Sequence, residues 1–96
     1  MATSMVTGGT SGIGREFVTQ LAARGDDIVI VARDTERMAA IKADVEARYG
    51  VSVETIAADL SRREDVDQIT TREEDPNHPV DLLVNNAGLV WRSLDG

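Results

Sequence analysis

A glycine-rich segment near the start of the chain has the residue types and spacing of a phosphate-binding turn. The segment reads TGGTSGIG and runs from Thr7 to Gly14. In a turn from a strand into a helix, the first amides of the helix are unpaired, and together with the helix dipole they attract a phosphate. Gly8 is expected to permit the sharp turn, Gly12 the close approach of a ligand, and Gly14 close packing of the helix on the sheet. Ser11 adds a hydroxyl donor.

An ordinary loop is the alternative interpretation, because glycine clusters also occur in turns that bind nothing. The flanking sequence favours the phosphate-binding interpretation. Residues 2–6 are predicted to form a strand that leads directly into the glycines, and residues 12–23 a helix. The apolar face of this helix is predicted to carry Ile13, Phe17 and Leu21.

The chain as a whole alternates short apolar runs with amphipathic segments, which predicts βαβ units in a parallel α/β sheet. Three further strands are predicted, at 28–32, 51–58 and 80–84. Right-handed crossovers give the strand order 3-2-1-4, which is an incomplete doubly wound sheet. Ligands bind such sheets beyond the carboxyl ends of the strands, where the order reverses. The turns at 7–14 and 85–88 should therefore face one crevice.

Capping residues predict the limits of the other two helices. The second helix is expected to begin at Asp34 or Thr35 and to end near Gly50. Its inner stripe is predicted to be Met38, Ile41 and Val45. A third helix is expected after Ser61, whose spacing to Glu64 is that of a capping box.

Composition excludes several kinds of site. The chain has no cysteine, so neither a disulfide nor a thiolate metal site is possible, and its one histidine, His78, rules out a histidine cluster. The formal net charge of -7 argues against a nucleic-acid partner, which requires a basic face. The longest strongly apolar run, at 28–32, is far too short to span a bilayer. We therefore expect no metal, no nucleic acid, no membrane and a cytoplasmic location.

Three motifs together resemble the cofactor-binding half of the short-chain dehydrogenase/reductase family. They are the Thr7–Gly14 turn, NNAG at 85–88 after the fourth strand, and ADL at 58–60, where the family's aspartate contacts adenine. The motifs occur in the family's order, and the resemblance covers essentially the whole chain. It implies a Rossmann-type domain that binds a nicotinamide dinucleotide. The expected cofactor-binding residues are Gly8, Thr10, Ser11, Gly12, Ile13, Gly14, Arg33, Asp59, Leu60, Asn86, Ala87 and Gly88.

The residues after the second strand predict which nicotinamide cofactor is bound. An acidic residue there bonds the ribose 2′-hydroxyl of NAD, whereas an arginine accommodates the 2′-phosphate of NADP. This sequence has Ala32 in the acidic position and Arg33 next, which favours NADP(H) over NAD(H). Two alternatives remain open: Arg33 is an ordinary solvated charge, or Asp34 takes the ribose and reverses the preference.

Asp59 and Asn86 each have a structural interpretation beside the functional one. By resemblance Asp59 or its neighbouring backbone meets the adenine, and it is also placed to cap a helix near Ser61. Asn86 can tie adjacent strand ends together, while by resemblance the NNAG backbone lines a ribose of the cofactor. The two interpretations are compatible at both positions.

The family's catalytic residues are absent from this sequence. By resemblance, hydride transfer relies on a serine and on a tyrosine with a lysine four residues later, all after the fourth strand. Tyr49 and Lys42 are the only tyrosine and lysine, and they stand seven residues apart in the wrong order. Ser93 falls too early to be the catalytic serine. We therefore expect residues 1–96 to be a partial dinucleotide-binding domain that does not turn over substrate alone.

Three interpretations of function follow. The first is an NADP(H)-dependent oxidoreductase of a carbonyl or alcohol substrate, represented by its amino-terminal cofactor half as a truncation or a separately encoded remnant. The second is a stand-alone dinucleotide-binding module or pseudoenzyme without catalysis. The third is a fragment that does not fold stably. The apolar fourth strand would be an open edge, which invites self-association.

Overall fold

The chain forms a parallel sheet with helices on both faces, as seen in a computed structural model that describes residues 2–86. The strands are β1 (Thr3–Thr7), β2 (Asp27–Ala32), β3 (Val53–Ala57) and β4 (Leu82–Asn85). The helices are α1 (Gly12–Ala23), α2 (Thr35–Tyr49) and α3 (Arg63–Glu73). The sheet order is β3-β2-β1-β4, which confirms the predicted α/β class and strand order. None of the helices within residues 2–86 has the length and apolar character needed to cross a membrane.

Parallel pairing aligns the carboxyl ends of the central strands. Thr7, the last residue of β1, pairs with Val31 of β2 and with Asn85, the last residue of β4. The glycine-rich turn therefore leaves the sheet at the same edge as the segments that follow β2 and β4. The order of the sheet reverses between β1 and β4, so this edge is the switch point at which ligands bind such sheets.

Two separate groups of apolar side chains bury the two faces of the sheet. On one face α1 and α2 cover Val6, Ile28 and Ile30, whereas on the other α3 contributes a single buried residue, Ile69. The β2 residues 28–31 are each at most 1% exposed, as expected for a strand buried on both faces. Burial of each such side chain contributes roughly 1.5–3 kcal/mol. The α1–α2 face therefore supplies most of the core.

The buried face of α1 differs from the prediction. Ile13 is 68% exposed and Phe17 is 41% exposed, so only Leu21 of the predicted stripe is buried. The residues that face the sheet are Gly14, Val18, Leu21 and Ala22. A Cβ atom on Gly14 would overlap the carbonyl oxygen of Gly8. The helix must turn this glycine towards the loop, and that rotation carries Ile13 and Phe17 outward.

The limits of α2 follow the predicted capping residues, but those of α3 do not. Asp34 caps α2 by accepting a hydrogen bond from the amide of Arg37 at 3.0 Å, and Gly50 ends the helix with a left-handed φ of 72°. The predicted stripe of α2 is buried. The prediction of a capping box at Ser61 is wrong, because the Ser61 hydroxyl donates to Asp59 and α3 begins two residues after Ser61.

Candidate functional site

The glycine-rich turn is closed by its own hydrogen bonds. Gly8 has a left-handed φ of 70°, and its amide donates to the carbonyl of Val31 at 2.7 Å. The amide and the hydroxyl of Ser11 both donate to the carbonyl oxygen of Gly8, at 3.2 and 2.9 Å. Ser11 is the N-cap residue of α1, yet its side chain does not cap the helix. The first amides of α1 are therefore available to an anion.

The glycines of this turn have different reasons to lack a side chain. A Cβ atom on Gly14 would also lie 2.9 Å from Nδ2 of Asn86, so a larger residue would push the helix from the turn. Gly9, which the sequence analysis did not single out, is buried, and a Cβ atom there would lie 2.7 Å from Cγ2 of Ile30. A Cβ atom on Gly12 would meet nothing within 4 Å. Protein packing therefore requires Gly9 and Gly14 but leaves the space beside Gly12 open.

Thr7 and Asn86 join the glycine-rich turn to the end of β4. Oγ1 of Thr7 donates to Oδ1 of Asn85 at 2.9 Å and accepts from the amide of Asn86 at 3.1 Å. Nδ2 of Asn86 donates to Oγ of Ser11 at 3.0 Å. The two turns, far apart in sequence, thus form one hydrogen-bonded unit. Asn86 has the strand-tying role that the sequence left as one of two interpretations.

The segment after β3 forms the opposite wall of the site. The amide of Ala58 donates to the carbonyl of Ala32 at 3.0 Å, which ties this segment to β2. Oδ1 of Asp59 accepts hydrogen bonds from the amide and the hydroxyl of Ser61, at 2.9 and 2.7 Å. These bonds, with smaller contributions from the charges of Arg33 and Arg62, hold the pKa of Asp59 below its usual value. The Asp59 carboxylate is therefore ionised at neutral pH.

Arg33 and Asp34 follow β2 and differ in their hydrogen bonds and ion pairs with the rest of the protein. Asp34 caps α2 and lies 3.8 Å from the guanidinium of Arg37. Arg33 is exposed, and within residues 2–86 its guanidinium has neither a hydrogen bond nor an ion pair. The arginine is the one of the two that is free to meet a ligand.

These elements enclose a cleft of about 580 Å³ at the carboxyl edge of the sheet. Seven residues expected from the sequence line it: Gly8, Thr10, Ser11, Arg33, Asp59, Leu60 and Asn86. Five further lining residues are not in the expected cofactor-binding set, although Asp34 was the alternative for the ribose: Val31, Ala32, Asp34, Ala58 and Ser61. Three other expected residues, Gly12, Ile13 and Gly14, are in the first turn of α1 and do not line the cleft. The last two, Ala87 and Gly88, lie outside the described residues.

Lys42 and Tyr49 have structural positions on α2, away from the cleft. Nζ of Lys42 donates to the carbonyl of Val53 at 2.6 Å and to Oε2 of Glu46 at 2.8 Å. The bond from Lys42 holds the pKa of Glu46 below its usual value. Tyr49 packs against the core beneath α2. Within residues 2–86 there is also no group of three acidic or histidine side chains able to hold a metal ion.

Comparison with known proteins shows the family to which this arrangement belongs. Residues 2–95 match the model of the short chain dehydrogenase family. A very-long-chain 3-oxoacyl-CoA reductase from Debaryomyces hansenii is 39% identical over 85 residues, which are 88% of this chain and 25% of that protein.

Two solved structures have the same fold. A short-chain dehydrogenase from Sphingobium yanoikuyae, in complex with NADPH, is 36% identical and superposes with a TM-score of 0.88. The match covers 97% of this chain and 36% of that dehydrogenase chain. A bulky-bulky ketone specific alcohol dehydrogenase from Comamonas testosteroni is 32% identical with a TM-score of 0.87, and the match covers 97% of this chain and 37% of that one. The chain thus spans about a quarter to a third of the length of these relatives. The chain belongs to the short-chain dehydrogenase/reductase family.

Proposed function

We propose that this chain binds NADP(H) in the cleft and forms the cofactor half of an oxidoreductase acting on a carbonyl or alcohol substrate. The observation that carries the proposal is the convergence of three distant segments, after β1, β3 and β4, on one cleft beside the uncapped start of α1. The pyrophosphate would be held by the amides of Gly12 and Ile13, with the hydroxyl of Ser11 nearby. The open space beside Gly12 fits the close approach of such a group.

The choice of NADP(H) over NAD(H) rests on the different states of Arg33 and Asp34. A carboxylate that binds a ribose 2′-hydroxyl must be free to accept its hydrogen bond. Oδ1 of Asp34 already accepts a hydrogen bond from the amide of Arg37, and its Oδ2 lies 3.8 Å from the Arg37 guanidinium, while Arg33 has neither a hydrogen bond nor an ion pair within residues 2–86. This difference favours a 2′-phosphate, and a relative of known structure is an NADPH complex.

The remaining cleft residues would hold the adenosine and the turn itself. Asp59 and Leu60 line the wall where the adenine would lie, and Asn86 keeps the glycine-rich turn in register with β4. When bound, the nicotinamide would supply or accept the hydride. The proton on the substrate oxygen needs a separate acid or base, and within residues 2–86 neither Lys42 nor Tyr49 lines the cleft. We therefore propose that this chain by itself binds cofactor without turning over substrate.

The substrate is proposed only as a class. The names of the relatives mention a 3-oxoacyl-CoA and bulky ketones, whose common feature is a carbonyl group. A stand-alone binding module is the second candidate, and the hydrogen bonds within residues 2–86 that join the β1 and β4 turns favour it. Self-association through β4 and a cytoplasmic location also stay proposals.

Titration of the purified chain with NADPH and with NADH, by isothermal calorimetry, tests the proposal. We expect saturable binding of NADPH at one site per chain, and binding of NADH weaker by about tenfold or more, as expected for the loss of one charged hydrogen bond. Equal or tighter binding of NADH would contradict the assignment of Arg33. Binding of neither, by a chain whose circular dichroism shows the α/β fold, would contradict the cofactor function itself.

A further inference from the structure

Asp65 holds the backbone of the cleft wall that faces the proposed adenine. Its Oδ2 accepts a hydrogen bond from the amide of Asp59, with an N–O distance of 2.7 Å. Asp65 is in the first turn of α3, where the helix dipole favours a negative charge. A backbone amide bonded to a carboxylate forms a charge-assisted and therefore stronger hydrogen bond. Asp65 itself is not among the residues that line the cleft.

Beside the packing of Ala58 and Leu60 on the core, few hydrogen bonds anchor this wall to the rest of the fold. Ala58 is the last residue of the segment whose amide bonds to β2, and the chain then leaves the sheet. From there the carbonyl of Asp59 accepts from the amide of Arg62 at 2.9 Å, and Oδ1 of Asp59 accepts from Ser61. These contacts are internal to the turn. The bond to Asp65 joins the turn to α3.

Asp65 holds the backbone of Asp59, whereas Ser61 holds its carboxylate by one oxygen. Oδ1 is occupied by the amide and hydroxyl of Ser61, whereas Oδ2 accepts no hydrogen bond from residues 2–86. An ionised oxygen with no partner on a cleft wall is suited to accept a hydrogen bond from an amino group.

We propose that Asp65 is a positioning residue for adenine recognition, because it fixes Asp59 so that the free carboxylate oxygen meets the exocyclic amino group of the adenine. The proposal rests on the proposed function, since it needs NADP(H) in the cleft. It differs from a general stabilising role in one respect: loss of Asp65 should impair recognition of the amino group more than binding of the rest of the cofactor.

The test compares NADPH with its deamino analogue, in which hypoxanthine replaces adenine, by calorimetric titration of four proteins. These are the wild type, Asp65→Ala, Asp65→Asn and Glu64→Ala. Asparagine keeps an acceptor oxygen for the Asp59 amide but removes the charge. Glu64 is the other acidic residue in the first turn of α3, its side chain is 74% exposed, and within residues 2–86 it forms an ion pair with Arg62 at 3.7 Å. The Glu64→Ala variant therefore loses a similar helix-terminus charge without touching Asp59.

The measured quantity is the ratio of the two dissociation constants. We expect the wild type, Asp65→Asn and Glu64→Ala to bind NADPH about tenfold more tightly than the deamino analogue, from one charged hydrogen bond. In Asp65→Ala the ratio should fall to about twofold or less, because the acceptor oxygen is no longer held in place. Circular dichroism should show an unchanged fold.

Other outcomes separate failure of this proposal from failure of the proposed function. A ratio that is unchanged in Asp65→Ala, or that falls equally in Glu64→Ala, would overturn the role of Asp65. Wild-type protein that binds NADPH without discriminating against the analogue would overturn it too, because the contact that Asp65 serves would be absent. Wild-type protein that binds neither ligand would refute the proposed function instead. If Asp65→Ala does not fold, Asp65→Ser, whose short hydroxyl side chain is tolerated near helix starts, supports the same measurement.

Discussion

Replacing Arg33 by alanine is expected to weaken the binding of NADPH and to leave the binding of NADH unchanged. Arg33 is exposed on the cleft immediately after β2, and within residues 2–86 its guanidinium has neither a hydrogen bond nor an ion pair. The substitution therefore removes no hydrogen bond or ion pair within residues 2–86, although it also removes a charge that acts on Asp59. A loss of affinity confined to NADPH would report on the 2′-phosphate.

The size of the effect follows from the exposure of the guanidinium. A hydrogen bond to a charged group contributes about 1.5–3 kcal/mol. Since water and salt screen an exposed pair, the lower end of that range applies, which is about a tenfold rise in the dissociation constant. The loss should shrink as the salt concentration is raised. NADH has no 2′-phosphate, so its dissociation constant should change by less than about twofold.

Calorimetric titration of the variant and of a charge-matched control measures this effect. Arg48→Ala is the control, because Arg48 is exposed in the last turn of α2, where it pairs with Asp44 rather than lining the cleft. Both variants lose one positive charge, and Arg48→Ala also loses an exposed ion pair away from the cleft, so a larger loss of NADPH affinity in Arg33→Ala would report a contact with the ligand. Equal losses of NADPH affinity in the two variants, or an equal loss for NADH in Arg33→Ala, would refute the assignment of Arg33 to the 2′-phosphate.

Three further predictions concern the fold. Gly14→Ala should lower the free energy of unfolding by about 1–3 kcal/mol in urea denaturation, because the added Cβ atom would overlap the glycine-rich turn. Gly12→Ala should not lower it, because a Cβ atom there would meet nothing within 4 Å. Equal effects of the two substitutions would contradict this packing. The Arg24 guanidinium holds the pKa of Asp26 below its usual 3.8. The contribution of the Arg24–Asp26 pair to the free energy of unfolding is therefore complete above pH 3.8 and is lost as the pH falls through the lower pKa of the folded state. The urea midpoint of Asp26→Asn should fall less on acidification than that of the wild type. If β4 mediates self-association, Leu83→Lys, at a side chain that is 43% exposed, should abolish concentration-dependent dimers in sedimentation velocity, and their persistence would exclude that edge.

The strand order could be predicted from the sequence because it depends on features that are local or general. The apolar run at 28–32 is uninterrupted, and such a run forms a strand buried on both faces. The handedness of the crossovers then leaves few possible orders. The caps of α2 were also predictable, since Asp34 and Gly50 act through their own backbone neighbours.

The rotation of α1 and the start of α3 depend on tertiary contacts that periodicity does not contain. Apolar spacing favoured a buried Ile13 and Phe17, but contact between Gly14 and the Gly8 carbonyl sets the helix rotation instead. The spacing of Ser61 to Glu64 favoured a capping box, but Asp59 binds the Ser61 hydroxyl.

The parts played by Gly9 and Asp65 were missed for the same reason. Gly9 is required by Ile30 of the neighbouring strand β2, which no local spacing reveals. Asp65 stands in a sequence with several other acidic residues, and only its contact with the Asp59 amide distinguishes it. Its place in the first turn of α3 does not single it out, because Glu64 shares that turn.

A pyrophosphate held at the start of α1 is the central proposed contact, and ¹⁵N NMR of the chain titrated with NADPH tests it directly. We predict that the amide resonances of Gly12, Ile13 and Gly14 shift saturably, with the dissociation constant that calorimetry gives, because their N–H groups gain phosphate partners. Saturable binding of NADPH that leaves these three amides unshifted would contradict the account.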